Sequence, residues 1–558
     1  MIIMLLTGAE IIIETLIEQG CDTVFGYPGG FVLNIYDELY KNSDRINHII
    51  TAHEQGAAHA ADGYARASGK VGVVIATSGP GVTNLVTGIA TAFLDSTPIV
   101  AITGNVPLSM LGRDSFQEVD STGITMPITK HNYIVKDVKD LANIIREAFV
   151  VAKSGRPGPV LVDVPKDIQL AKCEFEPSEM LEAEPKRTVS DNFLSKCADM
   201  INASKRPYIY CGGGAIAADA SEEIKALSLK LNAPIGLSIM GLSAIPQDFP
   251  NWLGMMGMHG RYSSTKANYE ADLIIALGVR FSDRATGDKS KFKRDSRIIH
   301  IDIDPAELNK NIDSCISAAG DIKNAVARLL NLVEEKDRTE WIDRIKEIKA
   351  EEQQQIAARE NGRLTPQKVI AELQKHTDKD TIVVTDVGQH QMWTAQSYKF
   401  YKPRTLLTSG GLGTMGFGMG AAIGGCIARG RKRTVLFTGD GSFGMNLTEL
   451  ATAVSQNLPL TIVIMNNGVL GMVRQWQTLF FGKRYSNTTL ERKTDFVRLA
   501  EAFGATGIRV SESGDLEAAM KKAFDTDGTV VIDCKIDMDE NVYPMIPAGG
   551  TIEDIIVN

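Results

Sequence analysis

Two apolar runs that each stop on a short polar signal constrain this chain more than any other feature. Thr434-Val435-Leu436-Phe437-Thr438 runs into Gly439-Asp440-Gly441; after twenty-four intervening residues, Asn466-Asn467 closes the run Leu460-Thr461-Ile462-Val463-Ile464-Met465. Runs of this kind predict parallel strands, which places both signals at the carboxyl edge of a sheet, where α/β proteins bind ligands. Asp440 and Asn467 there supply hard oxygen ligands. Mg²⁺ takes such oxygens and keeps its remaining positions for phosphate and water, while the glycines flanking Asp440 let phosphate oxygens approach the backbone. A lone Gly-Asp-Gly is also an ordinary turn; the asparagine pair beside it favours a magnesium-held diphosphate.

The same alternation of short β-rich runs and helical stretches extends along all 558 residues, the pattern of an α/β protein with doubly wound parallel sheets. Length predicts three or four domains. Strands are expected at Gly72 to Ala76, Ile99 to Thr103 and Val160 to Val164, in a domain spanning 1–172. The acidic, proline-containing stretch from Glu174 to Arg187 reads as a linker, and Tyr208 to Cys211, Leu273 to Leu277 and Ile298 to Ile303 predict a second domain over 188–335. Charged residues from Glu334 to Arg359 predict a helical linker over 336–364. A third domain over 365–558 carries Ile382 to Asp386, Val435 to Thr438, Ile462 to Met465 and Val530 to Asp533. The apolar start, Met1 to Leu6, lacks a basic leader and a small-residue cleavage site, so it is not read as a signal peptide. Glu10, Glu14 and Glu18 interrupt the run and predict a helix instead, with Thr7 and Glu10 as a capping box and Ile11, Ile12, Thr15 and Leu16 as its apolar face.

Charge excludes several functions. The 59 basic and 68 acidic residues leave a net charge of −9 without a basic cluster, which argues against nucleic acid or an anionic membrane as partner. No transmembrane span is expected. Seven scattered cysteines, never at metal-binding spacing, predict reduced thiols and a cytoplasmic location.

The resemblance that gathers these signals is to thiamine diphosphate enzymes, specifically the acetohydroxyacid (acetolactate) synthase catalytic subunits. Segments similar to that family occur in every third of the chain: Tyr27-Pro28-Gly29-Gly30, His53 to Ala58, Thr77 to Asn84, Ser115-Phe116-Gln117-Glu118, Gly388-Gln389-His390, Ser409 to Gly416, Gly471 to Gln477 and Pro544 to Gly550. The resemblance implies that Glu54 shares a proton with the cofactor's aminopyrimidine and that Tyr27, Pro28, Gly29, Pro80 and Asn84 belong to the pyrimidine-binding loops. Glu54 should open a helix in tight, apolar surroundings that raise its pKa; the alternative is a carboxylate that stabilises a helix N-terminus. Gln117 is implied beside the reacting carbon, and Gly388, Gln389, His390, Gly441 and Ser442 at the diphosphate. Gly413, Met415 and Met472 are implied near the cofactor rings, with Asp440, Asn467 and the Val469 carbonyl as metal ligands. Gly468-Val469-Leu470 is less polar than the family pattern, which leaves the backbone ligand intact. Trp476 is either a core anchor or, as the resemblance implies, the wall that recognises the extra methyl of 2-oxobutyrate.

Between relatives, the middle third decides. Gly212-Gly213-Gly214 after a strand is either a tight loop or a dinucleotide-binding turn. Arg156, Gly257-Met258-His259 and Gly278 to Arg284, including Arg280, Ser282 and Arg284, resemble FAD-binding segments, as do Asp302 and Asp321 at the nucleotide end. Ser282 stands where the family often has aspartate. Arg284 is also implied to face an acceptor carboxylate. The implied activity is decarboxylation of pyruvate and condensation of the two-carbon unit with pyruvate or 2-oxobutyrate, in branched-chain amino acid biosynthesis. It would use thiamine diphosphate, Mg²⁺ and a structural FAD in a homodimer with a separate regulatory small subunit. The alternatives are a FAD-free degradative acetolactate synthase, another thiamine diphosphate carboligase or oxidase, and an inactive regulatory paralogue.

Overall fold

Residues 4–181, 185–292, 296–359 and 362–557 are described by a computed structural model. Part of the expected linker, residues 182–184, and the first three residues of the apolar start lie outside them. Each third of the chain builds one six-stranded parallel sheet. In the N-terminal third the strands are β1 (Met4–Thr7), β2 (Thr23–Tyr27), β3 (Asn47–Ile50), β4 (Gly72–Ala76), β5 (Ile99–Asn105), β6 (His131–Ile134), β7 (Val160–Pro165) and β8 (Lys172–Phe175). The sheet order is β3-β2-β4-β5-β7-β6, and β1 and β8 form a separate antiparallel pair. The chain start is thus a short strand before the expected helix, Gly8–Glu18, which Thr7 and Glu10 cap as predicted.

The middle third contributes β9 (Pro207–Cys211), β10 (Ile235–Leu237), β11 (Trp252–Met255), β12 (Leu273–Leu277), β13 (Arg297–Asp302) and β14 (Ile316–Ala319), ordered β11-β10-β9-β12-β13-β14. The last third contributes β15 (Ile382–Thr385), β16 (Leu406–Leu407), β17 (Thr434–Gly439), β18 (Leu460–Asn466), β19 (Thr506–Val510) and β20 (Val530–Lys535), ordered β16-β15-β17-β18-β20-β19. Every apolar run expected as a strand is one, because both faces of each sheet are covered and continuous burial leaves no polar side to interrupt the run.

Topology explains where the loops gather. The first and last sheets share one order, in which the chain leaves the first strand to one side and returns to the other. Their switch points fall between β2 and β4 and between β15 and β17. The middle sheet has the dinucleotide-binding order, with its switch point between β9 and β12. Loops after these strands gather at the carboxyl edges, where open α/β sheets bind ligands.

Helices join the thirds. Glu54–Ser68 and Phe417–Ala428 pack so closely that a Cβ on Gly63 would collide with the Ala421 carbonyl, and one on Gly424 with the Ala60 carbonyl. Ala57, Ala60, Ala61, Ala421 and Ala422 share one buried cluster there. The segment expected as a charged linker is helical over Thr339–Ala357. Trp341, Ile345 and Ile348 bury an apolar stripe against Tyr208 and Tyr210, so this helix is a layer of the middle sheet.

Candidate active site

Parallel pairing of β17 with β18 sets Gly439 beside Met465, so Asp440 and the asparagine pair leave the sheet side by side. The two asparagines then diverge. Asn466 turns back and donates to buried Asp533 Oδ1 at 2.7 Å, whereas Asn467 donates to Gln389 Oε1 at 3.2 Å and accepts from the Val469 amide at 3.3 Å. Asp440 opens the helix Asp440–Asn446, and burial lifts its carboxyl to about 6 despite the backbone amides of Asp440, Gly441 and Asn467. A buried carboxylate of this kind favours a cation beside it. The antiparallel bridge of Val469 with Thr489 is closed through the carbonyls of Gly468 and Thr488, so the Val469 carbonyl is not one of its acceptors. Among the described residues, no group of three or more His, Cys, Asp or Glu side chains could hold a metal ion. A magnesium here would take oxygens from Asp440, Asn467, the backbone and a phosphate ligand, as Mg²⁺ commonly does.

One cleft of about 470 Å³ gathers Gly388, Gln389, His390, Met415, Asp440, Gly441, Ser442, Asn467, Val469 and Met472. Its floor is backbone, because side chains would fill it: a Cβ on Gly388 would lie 2.8 Å from the His390 ring, and one on Gly439 would lie 2.9 Å from it. Burial pushes His390 down to about 3, so its imidazole is neutral, and its Nε2 has no hydrogen-bond partner. The glycine floor fits a phosphate-bearing ligand, whose oxygens can approach the backbone there. Gly413 stands outside the cleft, exposed in the turn before Met415, with φ +71°.

Three supports of this cleft had no clear signal in the sequence. Asp386, at the end of β15, accepts from the Gly416 amide at 2.8 Å and the Gly418 amide at 3.2 Å, fixing the Met415 turn. Gln475 accepts from Gln389 Nε2 at 3.0 Å and from the Val542 amide at 2.9 Å. The Glu540 carbonyl accepts a second bond from Gln389 at 3.0 Å. Each joins segments far apart in the chain.

The N-terminal residues form a second group at their own switch point. Glu54 opens the helix Glu54–Ser68, capped by His53, and accepts from Asn84 Nδ2 at 3.0 Å. Gly29 packs on Thr77, and the Gln117 backbone, at φ +59°, lies against Gly79. Pro80 is exposed and Tyr27 is 40% exposed. In the single chain Glu54 is half-buried at the start of its helix, whose alanine face packs on Phe417–Ala428. Lining residues of the C-terminal cleft run from Val387 to Val473 and include none of this group.

Trp476 lies one turn beyond Met472 on the helix Gly471–Phe480 and is half-buried. The Arg284 guanidinium, from the middle third, sits over its ring at 5.8 Å. Met258 ties this pair to the chain end: its amide donates to the Arg284 carbonyl at 2.8 Å, and its carbonyl accepts from Ile546 at 2.8 Å.

In the middle sheet, Gly212, Gly213 and Gly214 follow β9 and press on the turn after β12, where a Cβ on Gly214 would lie 2.7 Å from the Gly278 Cα. Val279 and Arg280 follow; Arg280 is half-buried and Ser282 exposed. Asp302 ends β13 and burial raises it to about 6, while Asp321 caps the helix Ile322–Leu329. Gly257 has φ +112°, and burial lowers neighbouring His259 to about 4. Arg156 reaches this edge from the N-terminal domain and pairs with Glu307 at 2.8 Å and Asp304 at 3.4 Å.

Comparison with known proteins agrees with this layout. Residues 6–124 match the N-terminal TPP binding domain of the thiamine pyrophosphate enzymes, residues 194–329 their central domain and residues 386–534 their C-terminal TPP binding domain. The chain is 46% identical to the acetolactate synthase large subunit of Corynebacterium glutamicum, over 99% of this chain and 90% of the relative. It is 44% identical to the probable acetolactate synthase large subunit of Methanocaldococcus jannaschii, over 98% and 95%. It is 42% identical to the isozyme 3 large subunit of Escherichia coli, over 99% and 98%. The chain therefore belongs to the thiamine pyrophosphate enzymes, in the family of the acetolactate synthase large subunits.

Proposed function

We propose that this protein makes 2-acetolactate from two pyruvates, and 2-aceto-2-hydroxybutyrate from pyruvate and 2-oxobutyrate, as the catalytic subunit of a branched-chain amino acid pathway. The observation that carries this reading is the C-terminal cleft, which combines a buried carboxylate at Asp440, the Asn467 amide and a glycine floor at Gly388 and Gly439. Asp440, Asn467 and the Val469 carbonyl would hold Mg²⁺, and backbone groups at Gly388 to His390 and Gly441 to Ser442 would hold the diphosphate. Thiamine diphosphate, when bound, supplies a nucleophilic thiazolium carbon and an electron sink for decarboxylation. Glu54 would hold and move a proton at its carboxyl toward the pyrimidine ring, and Gln117 would face the reacting carbon. Trp476 gives the acceptor an apolar wall, and Arg284 offers its fork to the acceptor carboxylate.

The Glu54 group opens at a different edge from the cleft, which supports a homodimer whose sites each draw on both copies. The Gly212–Gly214 and Gly278 turns, packed on each other at the switch point of the dinucleotide-type sheet, support FAD as a structural cofactor, with Asp302 and Asp321 at its nucleotide end. The relatives are named large subunits, which supports a separate small regulatory subunit. Among the described residues no helix is long and apolar enough to cross a membrane. The test is purification followed by a flavin spectrum and a product assay with both 2-oxoacids. Product formation with no flavin, unaffected by added FAD, would move the chain to the FAD-free enzymes.

A further inference from the structure

Glu449 is fully buried, yet it belongs neither to the cleft nor to the Glu54 group. It opens the short helix Glu449–Ser455 in the C-terminal third and reaches across the seam between the first and last domains. There its Oε2 accepts from the Ala52 amide at 3.1 Å and its Oε1 from the His53 amide at 3.0 Å. Thr452 Oγ1 donates to Oε2 at 2.7 Å, which holds the carboxylate in line. The two amides immediately precede Glu54, so they fix where its helix begins. Gly56 completes the fit, since a Cβ there would collide with Glu449 Oε1. Burial raises the Glu449 carboxyl above its usual range, a cost accepted at a place where a neutral side chain would pack more easily.

From this geometry we infer that Glu449 is a positioning residue for Glu54, a carboxylate lent by the C-terminal domain to aim the proton-transferring group of the N-terminal one. The inference rests on the role proposed for Glu54. A carboxylate accepts from two amides at once, whereas the glutamine amide presents one donor and one acceptor. Glu449→Gln therefore turns one of the two amides against an N–H and lets the start of the helix shift. A misplacement of about 1 Å near a reacting group can cost about a hundred-fold in rate.

The experiment compares wild-type protein with Glu449→Gln and with Gly56→Ala, which displaces the carboxylate without removing an ionisable group. Hydrogen exchange of peptides covering residues 51–58 is measured without cofactor, and acetolactate formation is measured with thiamine diphosphate, Mg²⁺ and FAD. The inference expects exchange at Ala52 and His53 to rise by about ten-fold or more as their buried bond is lost, with the strand peptides of all three sheets unchanged. It also expects kcat to fall by about a hundred-fold, while the concentrations of Mg²⁺ and thiamine diphosphate needed for half-saturation stay within a factor of about two. If Glu449→Gln does not fold, Gly56→Ala carries the same expectations. Wild-type exchange at residues 51–58 with unchanged kcat in the folded variants overturns the role of Glu449. Absence of activity in the wild type instead overturns the proposed function and leaves the exchange result to decide the hydrogen-bond claim alone.

Discussion

The Arg284 guanidinium lies over the Trp476 ring at 5.8 Å from its centroid, although the two residues come from different domains. The contact joins a cation that can fork onto a carboxylate to an apolar wall that can receive a methyl group. Met258, through the Arg284 carbonyl and Ile546, ties this pair to the end of the chain.

Trp476→Leu removes the wall and leaves Arg284 without its aromatic platform. One methylene in an apolar pocket is worth about 1–3 kcal/mol, or roughly ten-fold to two-hundred-fold in discrimination. The variant is expected to lose most of its preference for 2-oxobutyrate while still forming acetolactate. Competition between the two 2-oxoacids measures this directly, and an unchanged product ratio in a folded, active variant would return Trp476 to a packing role.

Asp440→Asn keeps the shape of the proposed metal ligand and removes its charge. Loss of an outer-sphere partner alone costs about ten-fold to a hundred-fold in metal affinity, so loss of the charged ligand should cost at least that much. The Mg²⁺ concentration for half-maximal activity should rise accordingly. Asn466→Asp provides the contrast, because Asn466 bonds to Asp533 instead of facing the cleft. A new charge beside that buried carboxylate should destabilise the fold without improving metal affinity.

Arg66 links the first and last domains through buried charge. It pairs with Asp62, lies 3.0 Å from Asp95 and donates to the Thr408 carbonyl at 2.7 Å. Asp95 in turn receives the Gly411 amide at 2.6 Å, in the turn that leads to Gly413 and Met415. Arg66→Met strands two carboxylates and should cost about 3–5 kcal/mol. Urea denaturation would read this as a lowered midpoint, and a midpoint equal to the wild type would show that the network adds no stability.

Gly278→Ala tests the turns proposed to hold FAD. Gly278 has φ +62°, and its Cβ would lie 2.6 Å from the Gly214 Cα, pushing apart the two turns proposed to hold FAD. Left-handed geometry adds a cost of about 1–2 kcal/mol for any residue with a Cβ. Flavin bound per chain should fall sharply in absorbance spectra; full occupancy in the variant would place FAD elsewhere.

The strands were legible because parallel sheets covered on both faces demand continuous apolar runs, whose carboxyl ends mark the edge at which such sheets bind ligands. The Thr7–Glu10 cap was legible because it is local. What remained hidden depends on partners remote in sequence. No local pattern distinguishes Asn466, which turns to Asp533, from Asn467, which turns to Gln389. Glu449 looks like an ordinary helix-surface acid until Ala52 and His53 arrive from nearly four hundred residues away. The helix that Glu54 opens is a similar case: its alanine-rich sequence announces a close contact, but only the structure shows that its face is used by Phe417–Ala428.

The most direct test of the account is acetolactate formation from pyruvate by wild-type protein and by Glu54→Gln, each with and without thiamine diphosphate and Mg²⁺. Glutamine keeps the size of the side chain and its bond to Asn84 while removing the exchangeable acid. Product is expected only when both cofactors are present, with a fall of about two to four orders of magnitude in turnover for the variant at saturating cofactor. Near-normal turnover in Glu54→Gln, or product that forms without thiamine diphosphate, would contradict it.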